Sequence, residues 1–382
     1  MGKWALRRNA AMFAASFIVG SLTTIVPMVP ALAADPVAVD QGEAWTPAKR
    51  DEFYSLDQGS RVIPLRWIMA LKLPDGTPFM ADSLRRYGYL PNPASPAKLP
   101  VGFTSAGQPG KEFLGMTCTA CHTRQIEFGG VAYRIDGGPA IVDFQTLLHD
   151  LDIAVERVLN DGAAFADFAG AVLGSTHNPA NAAALRQAVS DWHYPYLTLM
   201  RNGLPPKPWG PGRADAIGMI FNRLTGLDLG TGKSGVIPEN IKFAEAPVRY
   251  PFLWNAAKQN KTQWPGFVGN VDWRQRLGRN LGQVFGVFAE FHPGVSSPEV
   301  IDYLTVNSAN FQGLIDLENL MERIGPPRWP WALERSSGRS QACEYRFSRS
   351  GMRPSPAPNR ASRAAASAVD ASAAEILLTS SR

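Results

Sequence analysis

The sequence predicts a mainly α-helical, loop-rich body with few or no strands. Three observations lead there. Four segments carry apolar residues at helical spacing, and no segment sustains an alternation of apolar and polar residues. The third is Cys118-Thr119-Ala120-Cys121-His122, whose C-x-x-C-H spacing is that of a c-type haem attachment site and implies a core built partly around a cofactor.

Taken in chain order, Lys3, Arg7 and Arg8 precede an apolar run that reaches Val29, and Ala31-Leu32-Ala33 offers small residues where a signal peptidase reads them. Residues 1–33 read as a secretory signal, cut after Ala33, which makes the protein periplasmic or secreted. Pro27 and Pro30 argue against a retained anchor, so no stable membrane insertion is expected. Next, 61–71 reads as a helix or buried segment, and Pro74-Asp75-Gly76 as a turn. Pro91, Pro93, Pro96 and Pro100 keep the chain extended up to the motif.

The motif's spacing has a chemical reason. Two thiols two residues apart can each form a thioether to a haem vinyl group, and the following imidazole can reach the iron as proximal ligand. Cys118 and Cys121 are therefore the expected attachment residues and His122 the expected iron ligand, for one covalent haem c. A C-x-x-C pair could also be a redox dithiol, half of a zinc site or a disulfide. Zinc would require a second ligand pair, and the third cysteine, Cys343, is distant; a redox dithiol prefers a strand-to-helix setting, whereas Gly107, Pro109, Gly110 and Gly115 precede this one.

Beyond the motif, 133–139 reads as a loop. A helix is expected over about 143–160, with Asp143 as N-cap and a stripe of Phe144, Leu147, Leu148, Leu151, Val155, Val158 and Leu159. A second should run over 179–192, capped by Asn178, a third over 276–291 and a fourth over 311–323. Residues 332–382 differ: eleven Ser, eleven Ala and eight Arg dominate them without any period, which predicts disorder.

The formal charge of +5 is misleading. The signal and the arginine-rich tail account for more than the whole excess, leaving the stretch between them at −2. That near-neutral body argues against a nucleic-acid partner. Its expected partner is a redox protein or a small oxidant.

A sixth iron ligand would decide between electron carriage and ligand chemistry. His149 falls on the polar side of its helix, His177 precedes a helix, His193 sits among aromatics and His292 ends a helix. Met200 and Met219 are further candidates, while Met116 is too close to the motif to cross the haem face; the sixth ligand stays open. Phe252, Trp254, Trp264, Phe267 and Trp273 are dense enough to wall an apolar pocket or to form ordinary core.

Several segments carry a resemblance. Pro100-Val101-Gly102-Phe103-Thr104, the ten residues Leu114 to Thr123, Tyr133-Arg134-Ile135-Asp136-Gly137, Pro251-Phe252-Leu253-Trp254-Asn255, Gln263-Trp264, Gly278-Arg279-Asn280 and Pro326-Pro327-Arg328-Trp329-Pro330 resemble the dihaem cytochrome c peroxidase-like superfamily, in the branch of the bacterial rubber oxygenases. The resemblance covers about 50–331. It implies an exported protein with cytochrome c-like haem units, one haem meeting peroxide or dioxygen and the other handling electrons. This chain departs from that pattern, because 332–382 stands where a second C-x-x-C-H is expected. The tail has the composition of a shifted reading frame through GC-rich DNA, which predicts a truncated member with one haem. The expected organisation is thus a signal at 1–33, a cytochrome c-like haem domain at 34–331 and a disordered tail at 332–382. The expected function is a periplasmic c-type cytochrome in electron transfer, with a haem peroxidase or oxygenase, its distal side open beside Trp254 and Trp264, as the alternative.

Overall fold

The computed structural model describes residues 35–328 apart from 228–234, 264–265 and 298–299. The signal, the tail with Cys343, and Trp264 lie outside the described residues. The expectation of a mainly helical, cytochrome c-like body with few strands is overturned: sheets occupy the centre of the chain, on both sides of the motif.

Each of two three-stranded sheets consists of a hairpin and one short added strand. Strand β1 (Val37–Ala38) runs parallel to one hairpin, and β2 (Ile63–Pro64) antiparallel to the other. The first hairpin pairs β3 (Phe103–Gln108) with β4 (Lys111–Met116) around Pro109-Gly110, where Gly110 has φ 80°. Proline followed by a glycine of positive φ is type II turn chemistry. The second hairpin pairs β5 (Thr123–Phe128) with β6 (Val131–Asp136) around Gly129-Gly130, both with positive φ as a type I′ turn requires. The expected loop at 133–139 is therefore largely strand.

These strands escape an alternation test for a physical reason. Arg134 and Asp136 are buried polar residues on a strand, which breaks the apolar pattern, and each is matched by a partner. Gln125 accepts from the Arg134 guanidinium at 2.9 Å. Asp136 accepts from Trp45 Nε1 at 2.8 Å, Arg50 Nε at 2.6 Å and the Tyr54 hydroxyl. Arg50 and Tyr54 belong to helix α1 (Pro47–Ser55), so the carboxylate ties α1 to β6.

Helix α2 (Leu65–Ala70) follows β2, and beyond the second hairpin helices alternate with short strands. Helix α3 (Phe144–Asn160) buries the anticipated stripe except Leu159, which is half-buried, and the Asp143 carboxylate accepts from the Thr146 amide at 3.1 Å. Helix α4 (Gly162–Leu173) follows, then α5 (Pro179–Gly203) with Asn178 as N-cap. Helix α5 passes the expected stop and continues through Pro195. Tyr196, Leu199 and Met200 are buried beyond it, and their burial offsets the hydrogen bond that proline removes.

Helix α6 (Ala216–Gly226) lies between β7 (Arg213–Ala214) and β8 (Val248–Arg249), which pair antiparallel. Small hairpins follow: β9 (Lys261–Thr262) with β10 (Val268–Gly269), and β11 (Gly294–Ser297) with β12 (Val300–Asp302). Helix α7 (Trp273–Gly286) stops five residues before its expected end, and α8 (Phe311–Met321) two before. The main apolar core joins the first hairpin to α2–α6. A second cluster joins α7 to α8, and a third gathers Trp45, Phe53, Leu317, Leu320 and Ile324.

Candidate haem-attachment site

Residues 117–122 link the two hairpins. Strand β4 ends at Met116, a single 3₁₀ turn covers Cys118–Ala120, and β5 starts at Thr123. Backbone bonds hold the turn closed: the Cys121 and His122 amides both donate to the Cys118 carbonyl, at 3.2 and 3.0 Å. Gly102 explains how the turn seats. Its φ is 79°, its carbonyl accepts from the Thr117 amide at 2.8 Å, and a Cβ built on it would lie 2.0 Å from the Ala120 nitrogen. No other residue type could support the turn so closely.

The two thiols border different packing clusters, and Cys118 also donates to Gln58 Oε1 at 3.9 Å. Cys118 packs with Leu253 and Trp254 against the third cluster, and Cys121 against the main core. Both are free thiols. Burial pushes Cys118 up to about 11 and Cys121 up to about 12. A redox dithiol needs the opposite, a thiolate favoured by a helix N-terminus or a nearby cation. The three-residue turn between two strands supplies no such helix. Zinc fares no better, since among the described residues no group of three His, Cys, Asp or Glu side chains could hold a metal ion.

His122 has the most informative geometry. Its Nδ1 lies 2.8 Å from the Pro251 carbonyl. A carbonyl can only accept, so the proton sits on Nδ1 and Nε2 keeps its lone pair. This is the arrangement that fixes the tautomer and orientation of an iron-ligating imidazole. Burial lowers the His122 pKa to about 4, so the ring is neutral at neutral pH, the form that ligates. The Tyr250 ring meets it edge-on with centroids 6.1 Å apart.

Two thiols and a neutral imidazole with Nε2 free are the donor set that a haem c would take. A second sign is a buried hydroxyl left over beside them. Tyr89 is fully buried near Cys121 and Tyr250, and its Oη has no hydrogen-bond partner among the described residues. Thr123, immediately after His122, also has a buried Oγ1 without one.

The candidate sixth ligands are engaged or on the surface. His193 is buried between α5 and α3, where its Nε2 meets Asp152 Oδ1 at 2.7 Å. His149, His177 and His292 are exposed. Met200 and Met219 are buried in the main core. Of the aromatic group, Phe252 and Trp254 stack at 4.9 Å, and Phe252, Phe267 and Trp273 are about half exposed.

Sequence reasoning missed Pro251, Tyr250 and Tyr89 as neighbours of the motif. Pro251 acts through its backbone carbonyl, which leaves no side-chain signature. Tyr89 and Tyr250 lie at long sequence separations and are united only by the fold.

Comparison with known proteins adds one relative at moderate similarity. The chain is 29% identical over 329 residues to the uncharacterized protein y4iJ of Sinorhizobium fredii, covering 75% of this chain and 52% of the relative. The chain therefore spans about half the length of that protein. No family model and no solved structure matches it.

Proposed function

We propose that this chain is an exported c-type cytochrome that holds one haem through Cys118 and Cys121, with His122 as proximal ligand, and transfers electrons. The observation that carries the reading is the Nδ1–H donation from His122 to the Pro251 carbonyl at 2.8 Å inside a C-x-x-C-H motif. A bound haem supplies one-electron exchange between ferric and ferrous iron. The chain's own residues do the rest. The two thiols anchor, Pro251 holds the imidazole in one tautomer, and Tyr250 limits its rotation. Stacked Phe252 and Trp254 offer an apolar surface beside Cys118. The resemblance to the dihaem peroxidase-like superfamily supports covalent haem attachment at this motif.

One observation favours a second reading, a haem peroxidase or oxygenase with an open distal side. His193, the most enclosed of the candidate ligands, already spends its Nε2 on Asp152.

The test is expression with a haem-attachment system, followed by a reduced pyridine haemochrome spectrum measured against protein mass. One haem per chain is expected, and none in Cys118→Ala/Cys121→Ala. Absence of covalent haem from the parent chain would defeat both readings. With haem present, a low-spin spectrum indifferent to carbon monoxide selects the carrier, and a carbon monoxide adduct selects the enzyme.

A further inference from the structure

The second hairpin turns its polar side inward and its apolar side out. Arg134 and Asp136 are buried on one face of β6, and Gln125 and Glu127 share that face on β5. The opposite face carries Ile126, Phe128, Val131 and Tyr133, with Val37 of β1 beside Tyr133. Val37, Phe128 and Val131 are 50%, 57% and 38% exposed. A contiguous apolar patch at the surface marks a place of contact.

Strand β5 is also an edge of its sheet, with β6 on one side of it and β1 beyond β6. The hydrogen-bond pattern shows which backbone groups of β5 are turned to the open side. The Val39 amide donates to the Arg134 carbonyl at 2.9 Å, so Arg134 turns its backbone toward β1. In an antiparallel pair, the residue opposite such a one turns its own backbone the other way. Gln125 is opposite Arg134, so Gln125 and, two residues on, Glu127 aim N–H and C=O outward. Charge is unmatched at the same place. Among the described residues, neither Glu127 nor the buried Arg134 is in an ion pair. The Arg134 guanidinium donates instead to the neutral Gln125 Oε1 at 2.9 Å.

We propose that a second copy of this chain pairs here, β5 against β5, antiparallel across a two-fold axis at Ile126. An open edge strand is a template for another strand, and a two-fold contact must complement itself. This register does so. Gln125 falls opposite Glu127 of the second copy, and both aim their backbone groups across the contact. Gln125 accepts from Arg134 and has its Nε2 to donate to that carboxylate, so one amide links the unmatched cation to the unmatched anion, twice by symmetry. On the other face Ile126 meets its own copy, and Arg124 lies opposite the Phe128 ring in a cation–π pairing. An axis one residue nearer the turn would set Glu127 against Glu127, and one residue back would set it against the buried Thr123. Pairing at Ile126 joins the two sheets and their apolar faces, and leaves the two C-x-x-C-H motifs at opposite ends of the paired strands.

The test is the mass of the intact chain in sedimentation velocity, compared with Ile126→Lys and, after oxidation, with Ile126→Cys. Ile126 is half-buried on the outer face, so both variants are expected to fold, which circular dichroism checks. Expected results are a parent of twice the chain mass, a single-mass Ile126→Lys with the parent's spectrum, and a covalent dimer of Ile126→Cys. Directly opposite copies of residue 126 are within disulfide reach. Phe128→Cys should give no covalent dimer, because its two copies stand about 13 Å apart along the strands. The parent, oxidised alongside, controls for its own cysteines. A dimer that survives Ile126→Lys, or one cross-linked by Phe128→Cys and not by Ile126→Cys, would overturn the proposal. So would a monomeric parent. If its Gln125 and Glu127 amides exchange slowly with deuterium, another stretch of this chain covers the edge; if both exchange fast, the edge is open to a different protein.

Discussion

At the scale of single residues, Asp136 has the most at stake outside the motif. It is fully buried, and Trp45, Arg50 and Tyr54 all donate to its carboxylate. Removing a carboxylate from a buried pair strands the cation, at a cost of about 3–5 kcal/mol. Asp136→Ala should therefore lower stability by about 3 kcal/mol in urea denaturation, the partial exposure of Arg50 keeping it at the low end. A midpoint equal to the parent's would show that the cluster contributes nothing net. The thiols make a second prediction, for chain prepared without haem. Their folded pKa values lie above the ordinary 9.0, so both remain protonated at pH 8. Alkylation of Cys118 should be about a hundredfold slower in the folded than in the unfolded chain. The sign for stability follows. The unfolded thiols lose protons first, so this contribution is complete below pH 9 and falls away as pH rises toward 11 and 12. Equal alkylation rates before and after unfolding would refute the burial argument. Cys118, Cys121 and His122 were legible in the sequence because the attachment chemistry dictates their spacing. Asp136 and Arg134 were not, since a buried charge looks like a surface charge until its partners are known.

At the scale of elements, what was legible depended on local chemistry. The caps of α3 and α5 were readable because Asp143 and Asn178 each bond an amide three residues on. The end of α7 was not. Phe288 takes φ 74° and the Ala289 amide reaches back to the Val284 carbonyl, the closure that glycine usually provides at a helix end. A phenylalanine there gives no stop signal, and its ring is instead held against Tyr196 and under Arg223. The Pro109-Gly110 and Gly129-Gly130 turns have hairpin chemistry, but sequence reasoning missed them because the strands beside them lack alternation. A left-handed turn at Asp82, Ser83 and Leu84, with φ of 55°, 54° and 58°, is the costliest local backbone. Each such residue forfeits about 1–2 kcal/mol relative to ordinary helix. Ser83→Gly should recover part of this, raising stability by about 0.5–1 kcal/mol after the entropy glycine adds to the unfolded chain. A loss of stability in urea melts would mean the Ser83 side chain does more than occupy the turn. Within α3, Leu148 is 1% exposed, and Leu148→Ala should cost about 2–5 kcal/mol.

At the scale of the whole molecule, the motif lies where two bodies of apolar packing meet. Cys121 belongs to the core that joins the first hairpin to α2–α6, and Cys118 to the cluster of Trp45, Phe53, Leu317, Leu320 and Ile324. A group bonded to both thiols would bridge them and cover apolar surface that is otherwise half exposed, Phe252 foremost. Burial of about 200 Å² of such surface contributes roughly 5 kcal/mol, or roughly 10 °C in melting temperature for a protein of this size. The covalent link adds to this because it also restrains the unfolded chain. Cys118→Ala/Cys121→Ala, which cannot hold the group, should therefore melt at least about 10 °C below the haem-loaded parent. The comparison needs one control, because the substitutions themselves remove two half-buried cysteine side chains. Haem-free parent chain, made without the attachment system, supplies it. If the haem-free parent melts with the double variant and well below the loaded parent, the loss belongs to the missing group. If all three melt together, the bridge between the clusters is not real, and the motif would be an ornament on a fold that is complete without it.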